Sequence, residues 1–207
     1  MKLFVLGATG KTGGALVAQA VARGNAVTTF GRSPFTGSWD ANILNLAGDP
    51  MSETELADAL PGHDAVLSAL GTRGLGASSV LEDSSRATIS AMSTARVRRL
   101  VILSSALLDA HIGLVMSIVA RTVLRHFSRD QREMEKLVTA SDLDWTILRP
   151  PRMTDLAPDE QSSATLGEPP TAEGMQITKA EVARVMLDTV ENQRYIRELV
   201  HIRGARL

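Results

Sequence analysis

Phe4-Val5-Leu6-Gly7-Ala8-Thr9-Gly10-Lys11-Thr12-Gly13 runs an apolar, strand-like stretch into three glycines spaced three apart and then into a helical pattern. In such a turn Gly7 lets the chain leave the strand in a conformation that a Cβ obstructs, Gly10 lets backbone approach a diphosphate, and Gly13 lets the helix pack closely. The helix that follows presents unpaired N–H groups and partial positive charge to an anion. Glycines at this spacing alone describe only a tight turn. The strand before them and the helix after them make a dinucleotide site the expectation.

Outward from this unit, strand-like and helix-like stretches alternate. That alternation predicts an α/β fold: a Rossmann-like, doubly wound parallel sheet in a three-layer αβα arrangement. Strands are expected at Lys2–Leu6, Ala26–Phe30, Ile43–Ala47, Ala65–Leu70, Leu100–Ser104, Trp145–Leu148 and Glu198–Ile202. Helices are expected at Thr12–Arg23, with Gly24-Asn25 as its stop, and at Ser52–Leu60, Ser79–Ala95, Asp130–Ala140 and Lys179–Glu191. Ser52 followed by Glu55 reads as a capping box. Thr154–Gly174, rich in Pro, Ser, Asp and Glu, carries neither period and reads as a loop over a site or a small excursion.

The chain's 207 residues fit one domain, 1–207, with lid or substrate segments near 106–130 and 151–178. Apolar residues make up 44% and the formal net charge is -1, a balance that favours neither disorder nor a nucleic-acid or membrane partner. No apolar run approaches the ~20 residues of a membrane span, and Met1-Lys2 lacks a signal-peptide layout, so a cytoplasmic address is expected. Cysteine is absent, which removes disulfides and thiolate chemistry. His63, His111, His126 and His201 are too scattered for a metal signature. Lys11-Thr12 lacks the longer glycine spacing of a P-loop, and no Gly-x-Ser-x-Gly elbow occurs.

An acidic residue after the second strand accepts from a free ribose 2′-hydroxyl, whereas a 2′-phosphate needs a cation. This chain has Gly31-Arg32-Ser33 there, so Arg32 forking onto phosphate with help from Ser33 favours NADP(H) over NAD(H). The competing reading is an ordinary exposed arginine in a turn. Asp49 after the third strand is a candidate partner of the adenine amino group, or simply a turn residue before Pro50. Leu70-Gly71-Thr72-Arg73-Gly74 places a second glycine-rich stretch at the crevice, with Gly71 near the cofactor and Arg73 on phosphate, or else forms a flexible loop.

Gly7-Ala8-Thr9-Gly10-Lys11-Thr12-Gly13, Gly31-Arg32, Gly48-Asp49, Asp64-Ala65-Val66, Leu70-Gly71-Thr72-Arg73, Ser104-Ser105-Ala106 and Pro150-Pro151 follow one another in an order that resembles the atypical short-chain dehydrogenase/reductases. Within these the resemblance is to the NAD(P)H-binding, NmrA-like kind, and most closely to the biliverdin-IXβ reductase/flavin reductase group. It implies NADPH as cofactor and a small planar acceptor: a flavin, quinone or tetrapyrrole. It also implies Gly7, Thr9, Gly10, Lys11, Thr12, Arg32, Asp49, Leu70, Gly71, Thr72 and Arg73 as cofactor contacts, with Ser105 beside the nicotinamide and Ser104 and Pro151 alongside. Two departures stand out. The chain's only tyrosine, Tyr195, is followed four residues later by Leu199, so the Tyr-x-x-x-Lys pair of ordinary short-chain dehydrogenases is missing. Arg152 follows the Pro-Pro pair where the biliverdin/flavin group has histidine, which puts tetrapyrrole specificity in doubt.

Hydride transfer between flat rings asks the protein mainly to stack them and exclude water. Ser105 is then a candidate to hydrogen-bond the ring and relay a proton, or else a strand-end serine bonded to backbone. Arg152 is a candidate to stabilise charge on the reduced acceptor. Ile112, Val115, Met116, Val119, Val123 and Phe127 share one helical face, which suits a lid, a core stripe or a dimer face, so a monomer or homodimer is expected. Arg121, Arg125, His126, Arg129 and Arg132 form a basic cluster or a solvated helix face. The alternative to a reductase is an NADP(H)-binding redox sensor without turnover.

Overall fold

A computed structural model describes residues 1–37, 40–71, 79–108, 125–155, 164–167 and 176–204. Its elements in chain order are β1 (Lys2–Leu6), α1 (Lys11–Ala22), β2 (Ala26–Gly31), β3 (Ile43–Ala47), α2 (Glu53–Ala59), β4 (Ala65–Ser68), α3 (Val80–Ala95) and β5 (Arg99–Leu103). A 3₁₀ turn at Ala106–Leu108, α4 (Arg125–Thr139), β6 (Asp144–Arg149), β7 (Arg152–Thr154), β8 (Thr165–Gly167), β9 (Gln176–Thr178), α5 (Lys179–Glu191) and β10 (Glu198–Arg203) follow.

The sheet runs β3-β2-β1-β4-β5-β6-β10-β8, parallel throughout except for β8, which lies antiparallel on β10. The parallel strands are sealed on both faces, which is why Leu3–Leu6, Ala65–Ser68 and Arg99–Leu103 are buried without interruption. Alternate residues serve opposite layers. Leu3, Val5, Leu67 and Val101 pack with Leu16 and Val17 of α1 and Val182 and Met186 of α5. Phe4, Leu6, Val66 and Leu100 pack with Leu56 of α2, Met92 of α3 and Met134 and Val138 of α4. The chain winds outward from β1 to β3 and then restarts at β4 on the other side. The crevice beyond the carboxyl ends of β1 and β4 is therefore the switch point at which such sheets bind ligands.

Most expected elements stand within a residue or two of their boundaries; β4 stops at Ser68 rather than Leu70, and α4 begins at Arg125 rather than Asp130. Gly24, at φ +79, stops α1 as expected. Ser52 caps α2 by accepting the Glu55 N–H, but the box is not reciprocal: Glu55 Oε2 accepts the Asp49 N–H, and the Ser52 N–H donates to the Asp49 carbonyl. The expected aperiodic segment from Thr154 contains β8, and β7 pairs in parallel with β9 across it. The Ile112–Phe127 stripe lies outside the described residues apart from the backbone of 125–127, as do Arg121 and His111; the side chains of Arg125 and His126 do too. Arg129 and Arg132 are exposed on α4.

Candidate active site

Gly7 adopts φ +81, and a Cβ built on it lies 2.6 Å from the Ala69 carbonyl oxygen and 2.8 Å from the Leu70 nitrogen. Only glycine lets the exit of β1 lie this close against the exit of β4. A Cβ on Gly13 meets the Gly7 carbonyl oxygen at 2.1 Å, so the third glycine seats α1 on the turn itself. The Gly10 N–H closes that turn on the Gly7 carbonyl at 3.0 Å. Gly10 is also the N-cap of α1, with no side-chain cap and no acidic residue in the first turn. By contrast, Ser52 caps α2 and Thr178 caps α5. Alone among these three helix starts, α1 keeps its N–H groups and its positive end for something other than its own chain.

These groups open into a cleft of about 950 Å³ over the carboxyl ends of the strands. Gly7, Thr9, Gly10, Lys11 and Thr12 form one wall, and Arg32, Ser33 and Asp49 stand at the β2 and β3 side. Arg32 and Ser33 are exposed, and no described residue pairs with Arg32. Asp49 reaches the cleft but also uses Oδ1 to accept the Met51 N–H at 3.1 Å, which is the turn role. Leu70 and Gly71 line the cleft, while Thr72, Arg73 and Gly74 lie outside the described residues.

At the far end stand Leu103, Ser104, Ser105, Pro150 and Pro151. The Ser104 N–H donates to the Leu148 carbonyl at 2.8 Å and the Ala106 N–H to the Pro150 carbonyl at 3.0 Å, which locks the exits of β5 and β6 side by side. The Ser104 hydroxyl is buried and finds no hydrogen-bond partner among the described residues. Arg152 is not brought to the cleft: it is exposed on β7, paired in register with Gln176, and absent from the lining. Tyr195 sits in the loop before β10, and its carbonyl accepts the Thr146 hydroxyl. It is therefore at the opposite end of the sheet, which agrees with the missing Tyr-x-x-x-Lys pair.

Among the lining residues that the sequence does not single out are Phe35, Met153, Lys179 and Gln131. Met153 packs its sulfur 3.8 Å from the Thr12 hydroxyl. Lys179 and Lys11 both donate to Asp155, each at 2.6 Å, one to each carboxylate oxygen. The hydrogen bonds from Lys11 and then Lys179 hold that carboxyl below its ordinary range. Lys179 begins α5, but only the pairing of β7 with β9 carries it to the glycine turn, and no local pattern announces that pairing. The residues present suit a dinucleotide: a glycine cradle that a Cβ would fill, an uncapped helix end, and two lysines and an arginine for phosphates.

This is the architecture of a Rossmann dinucleotide-binding protein. The sequence pattern of the NAD(P)H-binding family matches residues 7–193, and the chain belongs to that family. An oxidoreductase from Lactococcus lactis superposes with a TM-score of 0.83 at 19% identity, covering 100% of this chain and 92% of its own. A short-chain dehydrogenase/reductase from Veillonella parvula in complex with NADP has a TM-score of 0.80 at 16% identity, covering 97% and 93%. A candidate NADH-flavin reductase from Streptococcus pneumoniae has a TM-score of 0.77 at 22% identity, covering 98% and 99%. Among the described residues no helix is long and apolar enough to cross a membrane, and no group of side chains is arranged to hold a metal.

Proposed function

We propose that the protein is an NADPH-dependent reductase that passes hydride to a flavin, quinone or similar planar acceptor. The observation that carries this reading is the division of the cleft. One end gathers Lys11, Lys179 and Arg32, while the other, from Leu103 through Ser105 to Gln131 and Pro151, holds no ionisable side chain among the described lining residues. The first end suits a diphosphate and a 2′-phosphate, and Arg32 stands where a carboxylate would serve NAD(H) instead. A structural relative that holds NADP supports the same preference.

NADPH, when bound, supplies the hydride. The chain's own residues then hold, orient and shield. Pro150 and Pro151 stiffen the backbone that faces the ring, and Leu103 offers it an apolar surface. Ser105, half-buried at the β5 exit, gives a hydroxyl for hydrogen bonding and proton relay. No described lining residue at that end is a strong proton donor, which suits an acceptor that tolerates reduction before protonation. Flavins and quinones do, because their reduced rings delocalise the charge, whereas a simple ketone would develop an unstabilised alkoxide. The test is to follow NADPH absorbance with FMN, with a quinone and with no acceptor, in wild type and Ser105→Ala. Turnover with at least one acceptor, lowered about 10-fold in the variant, supports the reading. Rates equal to the protein-free blank with every acceptor point to the NADP(H)-binding sensor.

A further inference from the structure

We infer that Gln131 reads the polar edge of the acceptor, and that the acceptor it selects carries an N–H beside a carbonyl, as a flavin's imide edge does and a quinone does not. The inference rests on the reductase reading above and narrows its substrate class. Gln131 is 5% exposed, yet it lines the cleft, and its Oε1 is buried with no hydrogen-bond partner among the described residues. Ser104, also 5% exposed and on the same cleft, has a hydroxyl in the same condition. Two unpartnered buried polar groups on one wall weaken the ligand-free fold, because each has lost water without gaining a partner. A ligand that supplies the partners recovers that loss.

The placement of Gln131 is not a side-chain accident, because α4 is anchored on both sides of it. One residue earlier, the buried Asp130 carboxylate accepts the N–H groups of Leu81 at 3.2 Å and Glu82 at 2.9 Å, fixing α4 to the start of α3. One turn later, Glu135 receives Arg149 in a bidentate pair, Nε at 2.9 Å and Nη2 at 2.6 Å, with both side chains largely buried. Arg149 immediately precedes Pro150, so the same pair ties Gln131 to the ring-facing backbone.

A glutamine amide offers one carbonyl acceptor and two N–H donors, and a serine hydroxyl does either. The imide edge of an isoalloxazine sets one N–H between two carbonyls. It can donate to the amide oxygen while accepting from the amide N–H or the Ser104 hydroxyl. A quinone presents acceptors only and leaves the glutamine oxygen unpaired. Sites built to hydrogen-bond a substrate group discriminate strongly against analogues without it.

The test uses Gln131→Met, similar in volume without the amide, and Ser104→Ala. Each is assayed with FMN, with 2-methyl-1,4-naphthoquinone, and for NADP⁺ binding and melting temperature. For Gln131→Met we expect kcat/KM for FMN to fall at least about 10-fold. The naphthoquinone value and the NADP⁺ dissociation constant should stay within about twofold, and the melting temperature of the ligand-free protein should not fall. Ser104→Ala should lower the FMN value more weakly. Equal losses on both acceptors with weaker NADP⁺ binding would overturn the proposal by assigning the amide to the coenzyme. So would an unchanged FMN value, or a lowered melting temperature with parallel losses. If the wild type reduces neither acceptor, the reductase reading fails by itself; FMN binding to the NADP⁺-loaded protein, read by flavin fluorescence, then decides the role of Gln131. Weaker binding in Gln131→Met upholds that role and unchanged binding ends it.

Discussion

The molecule has a cleft at each end of its sheet, and they differ less in size than in how their polar groups are employed. At the amino ends of the strands, a cleft of about 660 Å³ is rich in arginine. There Arg98 forks onto Asp144 and the Asp142 carbonyl, while the terminal nitrogens of Arg99 donate to the carbonyls of Leu100, Asp144, Thr189 and Arg194. Burial pulls the Arg99 guanidinium down to about 10, against a smaller opposing pull from Asp144, so it stays charged at neutral pH as a clamp on backbone. At the carboxyl ends, α1 has no side-chain cap, and Arg32, the Ser104 hydroxyl and Gln131 Oε1 have no partner among the described residues. Positive charge alone therefore marks neither cleft as the site. Hydrogen-bonding capacity left over after folding is unequal: at the amino ends Arg99 Nε is buried without a described partner, whereas at the carboxyl ends a helix start, a guanidinium and two buried side chains all keep some.

Substitutions at the two ends should separate accordingly. Gly13→Ala forces a Cβ onto the Gly7 carbonyl, and the turn must shift; coenzyme affinity should drop at least about 100-fold, or ~3 kcal/mol, in an isothermal titration. Arg99→Met removes one donor from each of four carbonyls and should lower stability by about 2–3 kcal/mol in denaturant unfolding, with the coenzyme dissociation constant of the folded protein unchanged. A change in coenzyme affinity there would break the contrast. Arg32→Ala should weaken NADPH about 10-fold while leaving NADH within about twofold and stability untouched, because one charge-assisted contact to phosphate is lost.

Acid should reach stability through a carboxylate at the carboxyl end. Burial raises the Glu181 carboxyl, but hydrogen bonds from Arg184 and the Ala164 N–H outweigh it and leave the group below its ordinary value. The unfolded chain thus binds the proton more readily than the folded one. Stability from Glu181 is complete above the usual carboxylate range and is lost as pH falls through the depressed value. Glu181→Gln should flatten the acid side of a plot of unfolding free energy against pH by about 1 kcal/mol. A profile as steep as that of the wild type would show that other carboxylates govern it.

Much of this arrangement is visible in the sequence, and what is not has a physical reason. The β1–α1 unit announces itself because Gly7 and Gly13 answer local steric demands, and the interior strands because burial on both faces makes them continuously apolar. Ser52 signals α2 through a contact three residues away. The β7–β9 pairing has no period to show, since three residues on each strand meet across a gap of more than twenty. Lys179 and Asp155 reach the glycine turn through that pairing. Gln131 is one polar residue on an amphipathic helix, and only the meeting of α4 with the strand exits turns it toward the cleft. Arg152 illustrates the reverse: adjacency to Pro151 in sequence carried its side chain to a different surface.

The link from Asp130 to the start of α3 also bears on how the molecule assembles. The first turn of α3 has no cap of its own and borrows a carboxylate from a helix almost fifty residues downstream. That turn can reach full protection only after α4 has docked, which makes it a late and cooperative step. The amide hydrogens of Leu81 and Glu82 should therefore exchange with solvent at the rate at which α4 comes and goes, a direct clock on the opening of that wall of the cleft.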